Sequence, residues 1–157
     1  MSQAPSKTES ADVSLTALLV PLGDRNLLLP NVAVAELIPY RNVQRGEGLP
    51  DWFLGQIGWR DLQLPLLSFE AASGGVAHVG PESRVAVINA LGNRPRVKFL
   101  AVVVQGIPRS IKVSSDLARA TEPLAPMELD AVRIGDLVAS IPDLVGLEQK
   151  LADLGVI

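Results

Sequence analysis

Cysteine is absent from the 157-residue chain, which excludes a disulfide framework, a thiolate zinc site and a cysteine nucleophile. The one histidine, His78, lies in Ser73-Gly74-Gly75-Val76-Ala77-His78-Val79-Gly80, a loop composition, and reads as a solvated loop residue. Aromatics are scarce, with two Trp, one Tyr and three Phe, and the net charge is −3. Few stacking platforms and no excess of cations argue against nucleic acid as a partner. The apolar runs, such as Phe99 to Val104, are strand-sized and far short of the roughly 20 residues a bilayer requires, so no membrane insertion is expected. Met1 to Asp12 is polar and has no apolar core of a secretory signal. It predicts a disordered tail, residues 1–12, on a cytoplasmic protein. No G-x-S-x-G elbow, Walker loop, G-x-G-x-x-G turn or H-E-x-x-H pair occurs, so the expectation is a protein that is not an enzyme and holds no cofactor or metal.

Asp51 to Phe69 is the stretch on which the rest is organised. It holds both tryptophans and reads as two strands, Phe53 to Trp59 and Leu62 to Phe69, joined by a tight turn at Arg60-Asp61. Leu62, Leu64 and Leu66 alternate with Gln63 and Pro65, so one face is apolar, while Pro65 implies an edge or a bulge. Upstream, Leu15 to Pro21 and Leu27 to Pro30 read as strand, turn, strand. Asn31 is placed to cap a short helix over Val32 to Leu37, and Tyr40 to Pro50 is an irregular connection. Downstream, Arg84 to Ala90, Val97 to Val104 and Pro108 to Val113 read as strands, the second apolar enough to be buried on both faces. Ser114 or Ser115 is placed to cap a turn of helix through Arg119. Asp143 is placed to cap a C-terminal helix with Leu144, Leu147, Leu151 and Leu154 on one stripe and Gly155 as its stop.

Two echoes imply a duplicated unit. Leu91-Gly92-Asn93-Arg94 repeats Leu22-Gly23-Asp24-Arg25 at an offset of 69, and Ile134-Gly135 with Pro142 and Leu144 repeats Ile57-Gly58 with Pro65 and Leu67 at 77. The larger offset assigns an extra loop to Glu122–Glu128. Two halves of about 65 to 70 residues are too small for separate cores and should pack on each other. The expected architecture is mainly β: two packed five-stranded barrels with a short internal helix and a C-terminal helix. Residues 13–157 form one domain, with the first barrel at about 14–70, a linker at about 71–82, and the second barrel with the helix at about 83–157.

A domain of this kind with no reactive centre works by surface recognition. Trp52, Trp59 and Arg60 are the candidates, because Trp and Arg most often anchor interfaces. Arg60 is either a solvated turn charge or a partner's anchor, Trp52 is either core or surface, and Trp59 beside the turn is expected to be at least half exposed.

These residues also carry a resemblance. Pro50, Gly55, Ile57, Arg60 and Leu64-Pro65-Leu66-Leu67 resemble the P-x-x-x-x-G-x-I-N-L-R-G-x-x-x-P-V-I-D-L signature of CheW-like domains, and Val34-Ala35-Glu36-Leu37 resembles the V-x-E-I upstream of it. Val102 to Val104, Ile107, Ile111 and Ile141-Pro142-Asp143-Leu144 are similar to the family's second half. Asn31 to Leu37 and the Trp-Arg-Asp-Leu hairpin look most like the ChpC-type adaptors of type IV pilus chemosensory systems. The resemblance implies two SH3-like barrels and an adaptor between methyl-accepting chemoreceptor tips and the regulatory domain of a CheA-type histidine kinase, in arrays beneath the membrane. It places Arg60 on the family's receptor-contacting arginine and Glu36 on its acidic position. Gly58-Trp59 in place of Asn-Leu, Asp61 in place of the glycine after Arg, and Gln105-Gly106 in place of V-D-x-V are departures, and Asp61 is positioned to offset the charge of Arg60. The alternatives are a β-barrel that binds a small ligand between its halves and a structural subunit of a pilus-associated assembly.

Overall fold

The computed structural model describes residues 14–114 and 117–157. The tail expected at 1–12 and part of the helical turn expected after Ser114 lie outside them. Among the described residues ten strands run in chain order: β1 Ser14–Pro21, β2 Asn26–Pro30, β3 Val34–Pro39, β4 Phe53–Trp59, β5 Leu62–Leu67, β6 Arg84–Asn89, β7 Phe99–Val104, β8 Arg109–Ser114, β9 Glu128–Ile134 and β10 Leu137–Pro142. Helix α1, Phe69–Ala72, follows β5, and α2, Leu144–Leu154, follows β10.

The strands form two five-stranded sheets, ordered β8-β1-β2-β10-β9 and β3-β6-β7-β5-β4. The two orders are the same list shifted by five, and every junction agrees in direction. The pairs β1–β8 and β3–β6 are antiparallel, as are β1–β2 and β6–β7, whereas β2–β10 and β5–β7 are parallel. The chain is therefore two copies of one five-strand unit, β1–β5 and β6–β10, that have exchanged their last three strands.

That exchange corrects the division into one barrel at 14–70 and another at 83–157, because each sheet takes strands from both stretches. The position of the extra loop is corrected too. Thirteen residues, 40–52 and 115–127, separate β3 from β4 and β8 from β9, whereas β1–β2 is joined by four, 22–25, and β6–β7 by nine, 90–98. The added residues thus sit between β6 and β7, not in Glu122–Glu128. From β8 onward the copies match at an offset of 75, which brings Asp143 onto Ser68. Both are N-caps, accepting from the Gly146 and Ala71 amides.

Period-2 alternation divides the core into three layers. Leu18, Val20, Leu27, Leu29, Ala86, Ile88, Leu100, Val102 and Val104 face inward between the sheets, where Leu147 and Leu151 of α2 cover them. Ala17, Leu19 and Leu28 turn to the interior of the first sheet, and Leu64, Leu66, Val85, Val87, Ala101 and Val103 to that of the second. β7 is buried on both faces as its composition requires. Leu62, placed on the apolar face by alternation, is 44% exposed at the hairpin tip. Pro65 pairs with Gln56 on β4, and β5 meets β7 only at Leu66 and Leu67. The residue without an N–H therefore stands where the ladder to β7 has not begun.

Val32 to Leu37 is not a helix. A three-residue 3-10 turn, Asn31–Ala33, leads into β3, with Pro30 at its cap and no side-chain cap bond. Val32 and Val34 disfavour helix propagation, and pairing with β6 settles the segment as an edge strand.

The repeated Leu-Gly-x-Arg turns have a structural cause. Each packs against a buried carboxylate from the helix that follows the other sheet's hairpin. Glu148 of α2 accepts from Leu91 N–H at 2.6 Å and Gly92 N–H at 3.0 Å, and Arg94 lies 3.4 Å away. A Cβ on Gly92 would lie 2.5 Å from the Glu148 Oε1, and one on Gly23 would lie 2.7 Å from the Glu70 Oε2. Glycine is required at both turns to let the carboxylate in. Arg25, at the first turn, holds Asp24 bidentately at 2.9 Å, reaches Ser73 Oγ at 2.7 Å and Glu128 Oε2 at 2.8 Å, and lies over the Phe69 ring. One guanidinium so joins the β1–β2 turn, the end of α1 and β9.

Candidate protein-interface site

β4 and β5 turn at Arg60 and Asp61, whose φ angles of 49° and 64° put both in the left-handed region. Two such residues in a two-residue loop form a type I′ turn, whose twist matches that of the flanking strands. Asp tolerates this conformation, but arginine there costs on the order of 1 kcal/mol. The duplicated hairpin turns at Gly135 and Asp136, so the position of Arg60 is taken in the other copy by a glycine with φ 62°. The second sheet therefore carries a strained arginine at its hairpin tip, with a side chain 71% exposed.

Three of the expected residues meet there. The Trp59 indole N–H donates to Glu36 Oε1 at 2.9 Å, and Arg60 Nη2 approaches the same oxygen at 3.3 Å. The guanidinium carbon lies 4.9 Å from the Trp59 ring centre, and Phe99 holds the indole edge-on with ring centres 4.8 Å apart. Trp59 is half-buried and Glu36 exposed. Glu36 is on β3 and Trp59 on β4, the two edge strands of this sheet. A direct bond between its edges means the sheet curls until they meet, and the backbone bridge between Gln44 and Gln56 lies along the same edge. The same device recurs in the other sheet, where Arg119 bridges Val132 on β9.

The energies of these contacts are small. An exposed ion pair contributes about 0.2–1 kcal/mol and an exposed cation–π contact about 0.5–1 kcal/mol. A guanidinium has five N–H donors, and one ion pair leaves most of them for a partner. With Leu62 exposed beside it, the tip presents an indole, an aliphatic side chain and a positioned cation. This composition suits contact with a protein surface, and it holds no nucleophile.

Asp61 is exposed and takes part in no ion pair among the described residues; the carboxylate that pairs with Arg60 is that of Glu36, not its neighbour. Trp52 stands at the other end of β4, about 20 Å away at strand rise. It packs against the inter-sheet core beside Phe53, with Lys150 of α2 5.1 Å from its ring centre. Trp52 is thus a core-rim residue of the helix interface, not part of the tip. Phe99, which orients Trp59, was not marked by the sequence, because it lies forty residues away and reads only as one apolar residue of a buried strand.

The CheW-like domain family profile matches residues 16–151. The chain belongs to the CheW-like domain family. No curated protein sequence matches it. Among solved structures, the scaffolding protein TtCheW from Thermoanaerobacter tengcongensis is similar, with a TM-score of 0.71 and 14% identity, covering 84% of this chain and 86% of that one. At such identity the likeness speaks for the fold, and it agrees with the two five-stranded sheets. Among the described residues of this CheW-like domain, no helix is long and apolar enough to cross a membrane.

Proposed function

We propose that this CheW-like chain is a non-catalytic adaptor that joins methyl-accepting chemoreceptors to the regulatory domain of a CheA-type histidine kinase, with the Glu36–Trp59–Arg60 cluster as its receptor contact. The observation that carries the reading is the left-handed Arg60: a cation held at a hairpin tip at the cost of backbone strain, braced by Trp59 and Glu36 yet largely exposed. Strain of this kind concentrates where a side chain must be presented. Kinase docking is assigned to the other sheet. There an open apolar groove of about 400 Å³ is lined by Leu15, Ala17, Leu28, Val32, Val113 and Ile141, with Leu15 and Val32 well exposed. It offers the apolar area that a barrel-to-barrel contact needs. Within the family we assign the chain to the ChpC-type adaptors, and so to pilus-based motility in the cytoplasm beneath receptor arrays, on the strength of the Asn31 to Leu37 run and the Trp-Arg-Asp-Leu hairpin.

A ligand held between the two halves is the weaker reading. The space between the sheets, lined by Val20, Leu29, Phe69, Ile88 and Leu147, is about 10 Å³, room for no more than a water. Titration of the purified protein with a receptor-tip fragment and, separately, with a kinase regulatory domain tests the proposal. Saturable binding of both supports it. Binding of neither, with a thermal shift produced by a small molecule alone, supports the ligand reading.

A further inference from the structure

The two turn-facing carboxylates are built alike and satisfied differently. Glu148 is fully buried and saturated: two backbone N–H groups feed it and Arg94 stands beside it. Glu70 is also buried, at 1% exposure, but its Oε1 has no hydrogen-bond partner among the described residues. The Gly23 amide supports the carboxylate, and the nearest charges are mixed. Asp24 on the β1–β2 turn repels it, while Arg25 and His78 attract it. The guanidinium of Arg25 is already engaged by Asp24 and Glu128. The His78 ring is packed onto Gly23, its Cγ 3.1 Å from where a Cβ would stand, and Glu82 lines the same small cleft.

These groups tie a loop to the sheet. His78 offers its carbonyl to Gln105 Nε2 at 2.6 Å, Gln105 takes the Ser83 hydroxyl at 2.9 Å, and the Gln105 N–H donates to Pro21 at the end of β1. Gly75 N–H donates to the Glu70 carbonyl at 2.8 Å. The 74–83 loop is thus moored at the place where Glu70 lacks a partner.

We propose that Glu70, Asp24 and His78 form a proton-responsive latch, which holds the 74–83 loop and α1 against the β1–β2 turn in weak acid and loosens as the pH rises, whereas Glu148, with both oxygens hydrogen-bonded, is a fixed fastening. A protonated Glu70 no longer repels Asp24 and no longer leaves a charge on its buried, orphaned oxygen. Burial first, and the Asp24 charge second, hold the Glu70 carboxyl above its ordinary 4.5. A carboxyl raised on folding contributes stability that is complete below its unfolded pKa and is lost as pH rises through its folded one. Asp24 acts in the opposite sense. Arg25 holds its carboxyl below 3.8, so its contribution is lost only in stronger acid. Both signs put the tightest latch in weak acid.

Melting temperatures at pH 5 and pH 8 for the wild type, Glu70→Gln, Glu148→Gln and His78→Gln test this, together with hydrogen exchange at the Gly75 amide corrected for intrinsic rate. Glu70→Gln is expected to raise the melting temperature at pH 8 by about 2–4 °C and to remove most of the pH dependence of Gly75 protection. Glu148→Gln is expected to lower the melting temperature at both pH values. A Glu70→Gln protein that melts lower at pH 8, or fails to fold, overturns the proposal. So does a pH dependence that survives Glu70→Gln and disappears in His78→Gln, which would make the imidazole alone the sensor.

Discussion

Reversing the charge of Arg60 separates presentation from folding, because the two roles predict different losses. On the folding side, Arg60→Glu removes the pair with Glu36, whose side chain is 43% exposed against 71% for Arg60; an ion pair so wet contributes about 0.2–1 kcal/mol. The contact with the Trp59 face adds about 0.5–1 kcal/mol, and one guanidinium makes both, so the two overlap. The new glutamate and Glu36 can swing apart into water, and the turn's left-handed geometry is no worse for Glu than for Arg. The expected loss is about 1 kcal/mol, or about 2–4 °C in Tm for a domain of this size. On the binding side, an arginine anchor costs about 2 kcal/mol or more when removed, which is about thirtyfold in Kd, and reversal adds repulsion against an acidic receptor surface. Calorimetry and receptor-tip titration on the same preparation, with the kinase regulatory domain as the control ligand, read both. Kinase binding should survive. An Arg60→Glu protein that binds its receptor normally removes Arg60 from the site. A fall of more than about 10 °C, with affinity lost in proportion to unfolding, makes Arg60 structural.

Asp61→Gly relaxes a residue at φ 64° and should raise Tm by about 2 °C; a lower Tm in calorimetry would show that the Asp side chain supports the turn. Leu64→Asp sets a charge on a side chain 4% exposed inside the second sheet. It costs several kcal/mol against a total stability of about 5–15, and far-ultraviolet circular dichroism at 37 °C should show an unfolded chain. Gly92→Ala drives a methyl group to 2.5 Å from the Glu148 carboxylate and should cost about 1–3 kcal/mol by breaking the bonds to that turn, read as a lower urea midpoint with an unchanged slope.

The local grammar of the fold was legible and its long-range pairing was not. Asp143 and Gly155 marked both ends of α2 because capping is written in adjacent residues. Arg60-Asp61 marked the hairpin, and Val97 to Val104 declared a strand buried on both faces, which the fold begins two residues later, at Phe99. The duplication was visible through Leu-Gly-x-Arg, whose glycines are fixed by the carboxylates they admit. Which strands pair is a different matter. Exchange of the last three strands between copies leaves every local pattern unchanged, since each strand alternates in the same way whichever sheet receives it. The match of Ile57-Gly58 to Ile134-Gly135 slipped by two residues for a related reason. The true counterpart of Arg60 is Gly135, and the two are alike in backbone conformation, not in side chain. At the candidate site, Glu36, Trp59 and Arg60 were each visible as residue types, but their union depends on the edges of a sheet closing. Trp52 carried the same compositional signal as Trp59 and packs at the rim of the core. A tryptophan between a loop and a strand does not disclose which element will cover it.

The central claim is that this chain bridges two partners, and co-sedimentation tests it most directly. Receptor-containing membranes are mixed with a kinase regulatory domain that does not pellet with them alone, and the chain is added. The account predicts that the kinase domain pellets in proportion to added chain, and that Arg60→Glu abolishes this bridging while still binding the kinase domain in solution. A kinase domain that stays in the supernatant at saturating wild-type chain would contradict it.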